Sequence, residues 1–228
     1  MQAELCPVGD CGLLAVCGQQ IDEKVGDAVA ALNAAVLAAR LPGVVETVPA
    51  FASLLVRYDP LRTDYDTVAA AIKPLVARTK ARRHRGGRTV TIPVCYGGDY
   101  GPDLETVARH AGLTGREVIR LHTAPCYRIY MLGFLPGFPY LGGLDPALFT
   151  PRLENPRTAI PAGSVGIGGQ QTGVYPVASP GGWQLIGRTP LRLFDPARPL
   201  PYAAGDHIRF TAITPQQFRQ IAEKEGTV

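Results

Sequence analysis

Hydrophobic and polar positions along residues 11–95 switch repeatedly between the spacing of a strand and that of a helix. Apolar residues recur every three or four positions in 22–40 and in 64–78, which predicts two helices that each bury one face. Short apolar or alternating runs predict four strands, at 11–17, 44–48, 53–58 and 88–95. The resulting order β-α-β-β-α-β is the ferredoxin-like arrangement, although the last strand could instead open the next domain.

Residues 96–228 have a different pattern. Two short helices are predicted, followed by short strands and a terminal helix; the helices are 104–110, 116–122 and 214–224, and the strands 127–134, 164–167, 173–177, 184–187 and 208–211. Many short strands joined by long loops favour a closed barrel or a sandwich. We therefore predict an α+β protein with an N-terminal domain of residues 1–85 and a C-terminal β domain of residues 86–228.

The stretch 133–190 holds nearly half of the chain's 26 glycines and 21 prolines, together with many large apolar residues. A disordered linker would lack those apolar residues, and a helix would not tolerate so many glycines and prolines. We expect an ordered β-rich segment whose stiff loops carry the functional groups.

Composition narrows the class of protein. The 228 residues are 46% hydrophobic and 18% charged, which is enough for a large core, and the net charge is only +4. The basic run 82–88 has no interleaved aromatic residue and is predicted to be a solvated linker rather than a nucleic-acid arm. The sequence shows no apolar window long enough for a bilayer. Its five cysteines form no Cys-x-x-Cys pair, so we expect a cytoplasmic protein without disulfides or zinc.

Several common kinds of active site are not visible in the sequence. There is no phosphate-binding loop, and no lysine lies between residues 81 and 223, so an anion there would have to be held by arginine or backbone amides. Asp145 and Glu154 are the only carboxylates between 131 and 190, too few for a metal cage or an acid/base pair. We expect no metal site, and an active site that a partner completes.

Polar groups in the glycine-rich stretch are the first candidates for substrate binding. Residues 162–169, with Ser164, are predicted either to form a backbone-amide nest for an anion or to be a hairpin whose glycines serve close packing alone. Gln170, Gln171 and Thr172 follow, and their amides and hydroxyl suit an amide or lactam ring.

Three aromatic residues are candidates for a partner interface. Phe138 and Tyr140 are predicted either to pack in the core, which is the commoner fate of phenylalanine, or to form an exposed interface wedge. Trp183 is predicted to anchor a partner or to fill the core.

Two residues are candidates for catalysis. Arg157 offers a forked donor to carboxylate or phosphate, and its alternative role is a surface ion pair with Glu154. His122 closes a predicted helix, where it could act as an acid/base group or interact with the helix dipole.

Three longer motifs, GFLPGFPYLGGLDP, PRTAIPAGSVGIGGQQTGVYP and SPGGWQLIGRTPLRLFDP, resemble the family of 5-oxoprolinase B subunits. The family is also called allophanate hydrolase subunit 1 and includes an inhibitor of a sporulation histidine kinase. The resemblance extends weakly over the N-terminal half, and it implies a cyclophilin-like β-barrel in the C-terminal domain.

The resemblance implies the B subunit of an ATP-dependent 5-oxoprolinase, which opens the lactam of 5-oxo-L-proline to L-glutamate. Such a chain would be active only with homologues of the C and A subunits of that enzyme, and ATP would be used by the whole complex. Two alternatives stay open: a binding protein that inhibits a histidine kinase, and the carboxyltransferase half of a urea carboxylase or allophanate system.

Overall fold

A computed structural model describes residues 2–79 and 87–226. Contacts between Cα atoms divide the chain into two compact units, Met1–Arg85 and Gly86–Val228. Within the described residues, no helix is both long enough and apolar enough to span a membrane.

The first unit is a four-stranded antiparallel sheet with two helices. Its elements are β1 (Glu4–Val8), β2 (Gly12–Val16), α1 (Glu23–Ala39), β3 (Val44–Pro49), β4 (Ser53–Tyr58) and α2 (Tyr65–Arg78). The strand order across the sheet is β1-β2-β4-β3. Asp22 and Asp64 cap the two helices by accepting hydrogen bonds from backbone N–H groups of the first turn. Leu32 and Ile72, on the predicted apolar faces, are fully buried in the core of this unit.

The predicted β-α-β-β-α-β order is wrong in its last strand, and it lacks the first strand of the structure. Residues 88–95, the predicted last strand of this sheet, form β5 (Thr89–Tyr96), which belongs to the second unit. The fourth strand is instead β1, which pairs with β2 as a hairpin. The alternative that residues 88–95 open the next domain is thus confirmed.

The second unit is built on a closed seven-stranded barrel. Its remaining elements are α3 (Leu104–Ala111), α4 (Gly115–Thr123), β6 (Tyr127–Leu132), β7 (Pro139–Gly142), β8 (Arg157–Ile160), β9 (Ser164–Gly168), β10 (Gln171–Val174), β11 (Ser179–Gly181), β12 (Gln184–Arg188), β13 (His207–Ala212) and α5 (Pro215–Glu225). The barrel order is β10-β7-β6-β13-β5-β12-β9, and β8 and β11 form a separate two-stranded ribbon. Strands β5 and β13 run parallel, and the other barrel pairs are antiparallel.

The inward residues of the barrel strands form the main core of this unit, with Ile92, Ile129 and Ile167 among the fully buried side chains. The closed barrel predicted from the short strands is confirmed, while the specific likeness to cyclophilin stays a prediction. Thr114 and Thr214 begin α4 and α5 with capping boxes, as their positions in the sequence indicate.

Candidate functional site

An aromatic cavity of about 310 Å³ is the most distinctive surface feature of the barrel unit. Its walls come from the loop before β7, from the segment before β8 and from β11 with the residues that follow it. Five aromatic residues line it: Phe134, Phe138, Tyr140, Tyr175 and Trp183. Arg152, Leu153 and Pro156 complete one side. A cavity of this size with aromatic walls and a few polar groups is typical of a ligand or partner site.

Phe138 is the centre of the aromatic cluster. Its ring makes edge-to-face contacts with Tyr140, Tyr175 and Trp183, at centroid distances of 5.0, 5.1 and 5.5 Å. The side chain is only 1% exposed, so core packing of Phe138 is confirmed and its exposure as a wedge is wrong. Phe134, four residues earlier, is 63% exposed and contacts Phe138 at 5.7 Å. It therefore occupies the exposed position that the sequence suggested for Phe138.

Glycines on β9 let the aromatic cluster lie directly on the barrel wall. Val165 and Ile167 face the barrel core, whereas Gly166 and Gly168 lie under Trp183. A Cβ at Gly168 would stand 2.5 Å from Cδ1 and Nε1 of Trp183. Only glycine allows this approach of indole and backbone.

The same geometry corrects the prediction of an amide nest in residues 162–169. Strand β9 is paired with β10 and β12 along its length. At its two ends, the Gly163 N–H donates to the Tyr175 carbonyl (2.7 Å) and the Gly169 N–H to the Thr150 carbonyl (2.8 Å). These amides are already engaged, so the nest is wrong and the alternative of a packing hairpin is confirmed.

Positive charge borders the aromatic cavity. The guanidinium of Arg152, which is exposed, lies 5.9 Å from the centroid of the Trp183 ring. Burial raises the pKa of Tyr140, and the charge of Arg152 partly opposes that shift. Burial likewise raises the pKa of Tyr175 to about 12, again opposed by Arg152 and Arg157. Both phenols are therefore neutral at physiological pH and can donate a hydrogen bond.

Arg157 forms an ion pair with Asp103, not with Glu154 as the sequence suggested. Its Nη2 lies 2.7 Å from Oδ1 of Asp103, and Oδ2 of Asp103 accepts the N–H of Leu185 at 2.6 Å. Nη1 of Arg157 is buried and has no hydrogen-bond partner among the described residues. An unpaired buried donor is costly, so this nitrogen weakens rather than strengthens the local packing.

His122 lies in the barrel core in a chain of hydrogen bonds. Its Nδ1 lies 2.8 Å from the Tyr96 hydroxyl and its Nε2 2.8 Å from the Thr172 hydroxyl. The Thr172 hydroxyl donates to the Gly166 carbonyl, so it accepts from Nε2–H, and Nδ1 accepts from Tyr96. Complete burial lowers the pKa of His122 to about 3.

A neutral imidazole does not interact with the helix dipole as a cation would, so that alternative for His122 is wrong. Both of its ring nitrogens are engaged and its side chain is 0% exposed. The position accounts for a structural role, and a catalytic role for His122 stays a prediction.

The four residues predicted to bind substrate are divided between the barrel interior and its surface. Ser164 and Thr172 are buried on β9 and β10. Gln170 is exposed in the turn between these strands, and Gln171 is half-buried at the start of β10. Of the predicted set, only the two glutamines can reach a ligand at the surface, and the structure does not bring all four together.

Sequence reasoning missed Arg152 and Asp103. Arg152 could have been identified from the sequence, because the stretch 133–190 contains few cationic residues and each was a candidate to hold an anion. Asp103 could not, because its role depends on the N–H of Leu185 and on Arg157, which are both distant in sequence. Across residues 2–79 and 87–226, no group of three or more His, Cys, Asp or Glu side chains is placed to hold a metal ion.

Together the fold and the cavity define a two-unit α+β protein whose closed barrel carries an aromatic cavity. The chain matches the family model described as carboxyltransferase domain, subdomain C and D, over residues 3–204, and it belongs to that family.

Curated relatives in this family are named as the B subunit of 5-oxoprolinase. The chain is 42% identical to the Bacillus subtilis (strain 168) protein of that name, over 96% of each chain. It is 49% identical to the one from Escherichia coli O157:H7, over 82% of this chain and 81% of the relative. The crystal structure of the urea carboxylase of Kluyveromyces lactis matches with a TM-score of 0.81 at 20% identity, covering 98% of this chain and 23% of that one. At this identity the likeness shows the fold alone.

Proposed function

We propose that this chain is the B subunit of an ATP-dependent 5-oxoprolinase, which converts 5-oxo-L-proline to L-glutamate. The observation that carries the proposal is the 42% identity to a 5-oxoprolinase B subunit over 96% of both chains. Opening an unstrained lactam requires activation of the amide, and ATP used by the complex would supply it by phosphorylating the amide oxygen. The cytoplasmic location stays a prediction.

We propose that homologues of the C and A subunits of 5-oxoprolinase are the partners and that the aromatic cavity lies at a partner interface. Aromatic residues and arginine are enriched at the centres of interfaces, and the rim offers Phe134, Tyr140 and Arg152. Trp183 is only 6% exposed, so it packs in the core, as its alternative had it, and does not itself project toward a partner. Phe138 supports this surface from beneath, because its ring is buried against the others.

For the substrate, we propose contacts with Gln170, Gln171 and Arg157. The glutamines reach the surface at the turn between β9 and β10, and their amides suit a lactam. The guanidinium of Arg157, whose side chain is 30% exposed, is a forked donor suited to a carboxylate or phosphate oxygen. Arg157→Lys should lower kcat/KM of the complex without unfolding it, since an ammonium cannot replace the fork.

The proposal is tested by purifying the affinity-tagged chain from its own cells, identifying the proteins that accompany it, and assaying glutamate formation from 5-oxoproline. Phe134→Ala should release the partner and keep the fold, as judged by near-UV circular dichroism. Leu61→Ala is the matched control, because Leu61 is also an exposed apolar side chain (95%) but belongs to the first unit. Full activity of this chain alone would contradict the proposal.

A carboxyltransferase half of a urea carboxylase system is the second candidate, supported by the match to the carboxyltransferase-domain family model over residues 3–204. Carboxylation of urea in the same purified complex would favour it over the first. None of the three relatives above is named for a histidine kinase, and the kinase-inhibitor alternative is not proposed.

A further inference from the structure

A second cavity in the barrel unit, of about 700 Å³, is separate from the aromatic cavity. It lies where the end of β12, the segment 189–194, the segment 176–178 and helix α5 meet. No residue lines both cavities. Its volume is within the range of small-molecule sites and is large enough for a nucleotide.

Three arginines, Arg188, Arg192 and Arg219, line this cavity, and no aspartate or glutamate is among its lining residues. Among residues 87–226, no carboxylate forms an ion pair with Arg188 or Arg219. Arg192 lies 3.9 Å from Asp195, whose carboxylate is shared with another arginine at 3.6 Å. The cavity therefore carries a net positive charge.

The guanidinium of Arg188 is held in place. Its Nε donates to the Ala162 carbonyl at 2.9 Å, which leaves its two Nη groups for other acceptors. A fixed guanidinium with two parallel N–H donors matches a phosphate group, and less side-chain entropy is lost when it binds one.

The cavity also has an aromatic side. Tyr100 and Phe218 contact each other at a centroid distance of 4.4 Å, and Phe194 is half-buried nearby in the lining. Apolar rings beside several arginines are suited to a ligand with a phosphate group at one end and a planar ring at the other.

We propose that this cavity binds a phosphate-bearing small molecule, held by the forks of Arg188, Arg192 and Arg219. Two sources have this chemistry: a nucleoside polyphosphate, and free phosphate or pyrophosphate. The inference rests on the proposed function only in making ATP the first nucleotide to test.

The test is isothermal titration of the full-length chain alone with ATP, ADP, pyrophosphate and inorganic phosphate. The double variant Arg188→Gln/Arg219→Gln should bind at least tenfold more weakly than the wild type, and Arg219→Lys should show an intermediate loss. Arg209→Gln, an exposed arginine on β13 outside the cavity, is the matched control and should bind normally. Near-UV circular dichroism checks that every variant is folded.

Tighter binding of ATP and ADP than of the two inorganic ions identifies a nucleotide, and equal binding identifies the phosphate group alone as the ligand. Failure of all four ligands to bind at millimolar concentration overturns the inference, as does equal affinity of the double variant and the wild type. The titration uses this chain without partners or substrate, so it tests this inference separately from the proposed function. If the complex forms glutamate but this chain binds none of the four ligands, this inference is overturned and the proposed function stands.

Discussion

At the scale of single residues, the contact between Gly168 and Trp183 links the glycine-rich sequence to the candidate site. The indole occupies the space where a Cβ would be, and it forms one wall of the aromatic cavity. Position 168 must therefore be glycine because Trp183 packs against its outer face, whereas Ile167 beside it packs into the barrel core.

Gly168→Ala is predicted to lower the free energy of unfolding by about 1–3 kcal/mol, because overpacking forces Trp183 or the strand to move. Gly182→Ala is the matched control, since its Cβ would meet only ordinary contacts at 3.5 Å or more. Trp183 is the only tryptophan, so its fluorescence reports both unfolding and displacement of the ring. Equal stability of the two variants would contradict the packing described for β9.

His122 is predicted to make the fold sensitive to acid. Between pH 6.5 and about 3 the unfolded chain binds a proton at this residue and the folded chain does not. The free energy of unfolding should therefore fall as pH falls, by up to about 1.4 kcal/mol per pH unit from this group alone.

Denaturant unfolding of wild type and His122→Gln from pH 8 to pH 4 measures this effect. The variant should be less stable at pH 8, because it disturbs the bonds to Tyr96 and Thr172, and the difference should shrink as pH falls. Parallel pH profiles would show that His122 is protonated in the folded protein.

Residue roles that depend on type and local spacing could be predicted, and those set by distant contacts could not. The motif around Phe138 and Trp183 indicated an aromatic cluster, and the structure brings these residues together. Which ring is exposed depends on the loop backbone, where Phe134 has a φ of +66°. The burial of His122 between β5 and β10 likewise depends on closure of the barrel.

At the scale of elements, helix α2 continues through an internal proline, Pro74. Pro74 is exposed and lies in the third turn of Tyr65–Arg78, where it removes one backbone hydrogen bond. Its neighbours Ile72 and Val76 bury the helix against the sheet, and this packing maintains the helix through the break.

Pro74→Ala is predicted to raise the free energy of unfolding of the first unit by about 1–3 kcal/mol, because alanine restores the N–H and is the stronger helix former. Lys73→Ala, a neighbouring exposed position, should change it by less than about 0.5 kcal/mol. Unfolding followed by far-UV circular dichroism provides the measurement. A Pro74→Ala variant that is less stable than wild type would indicate that the proline supports a bend the packing needs.

Elements with strong periodicity could be predicted from the sequence, and elements formed by pairing alone could not. Both long helices and the strands β2, β4, β5 and β13 were predicted within a few residues. Strand β1 was missed because it is a largely exposed edge strand that contains Pro7. Strands β8 and β11 have four and three residues, too short to show a period.

At the scale of the whole molecule, the two compact units predict a defined pattern of proteolysis. The boundary at Arg85 falls in the basic run 82–88, of which residues 82–86 lie outside the described residues. Trypsin is expected to cut first within residues 81–88, leaving a C-terminal fragment that keeps its barrel by circular dichroism. First cleavage within 133–190 would contradict the view that this stretch is a rigid, preshaped site.

The central claim, that the chain is one component of a 5-oxoprolinase, is tested most directly by an omission assay with the reconstituted complex. Glutamate and phosphate are measured together while this chain, ATP or 5-oxoproline is left out in turn, with urea as an alternative substrate. We predict equal amounts of glutamate and phosphate that fall to background when any one component is omitted, and no turnover of urea. Undiminished glutamate formation without this chain, or ATP hydrolysis driven by urea and not by 5-oxoproline, would contradict the account.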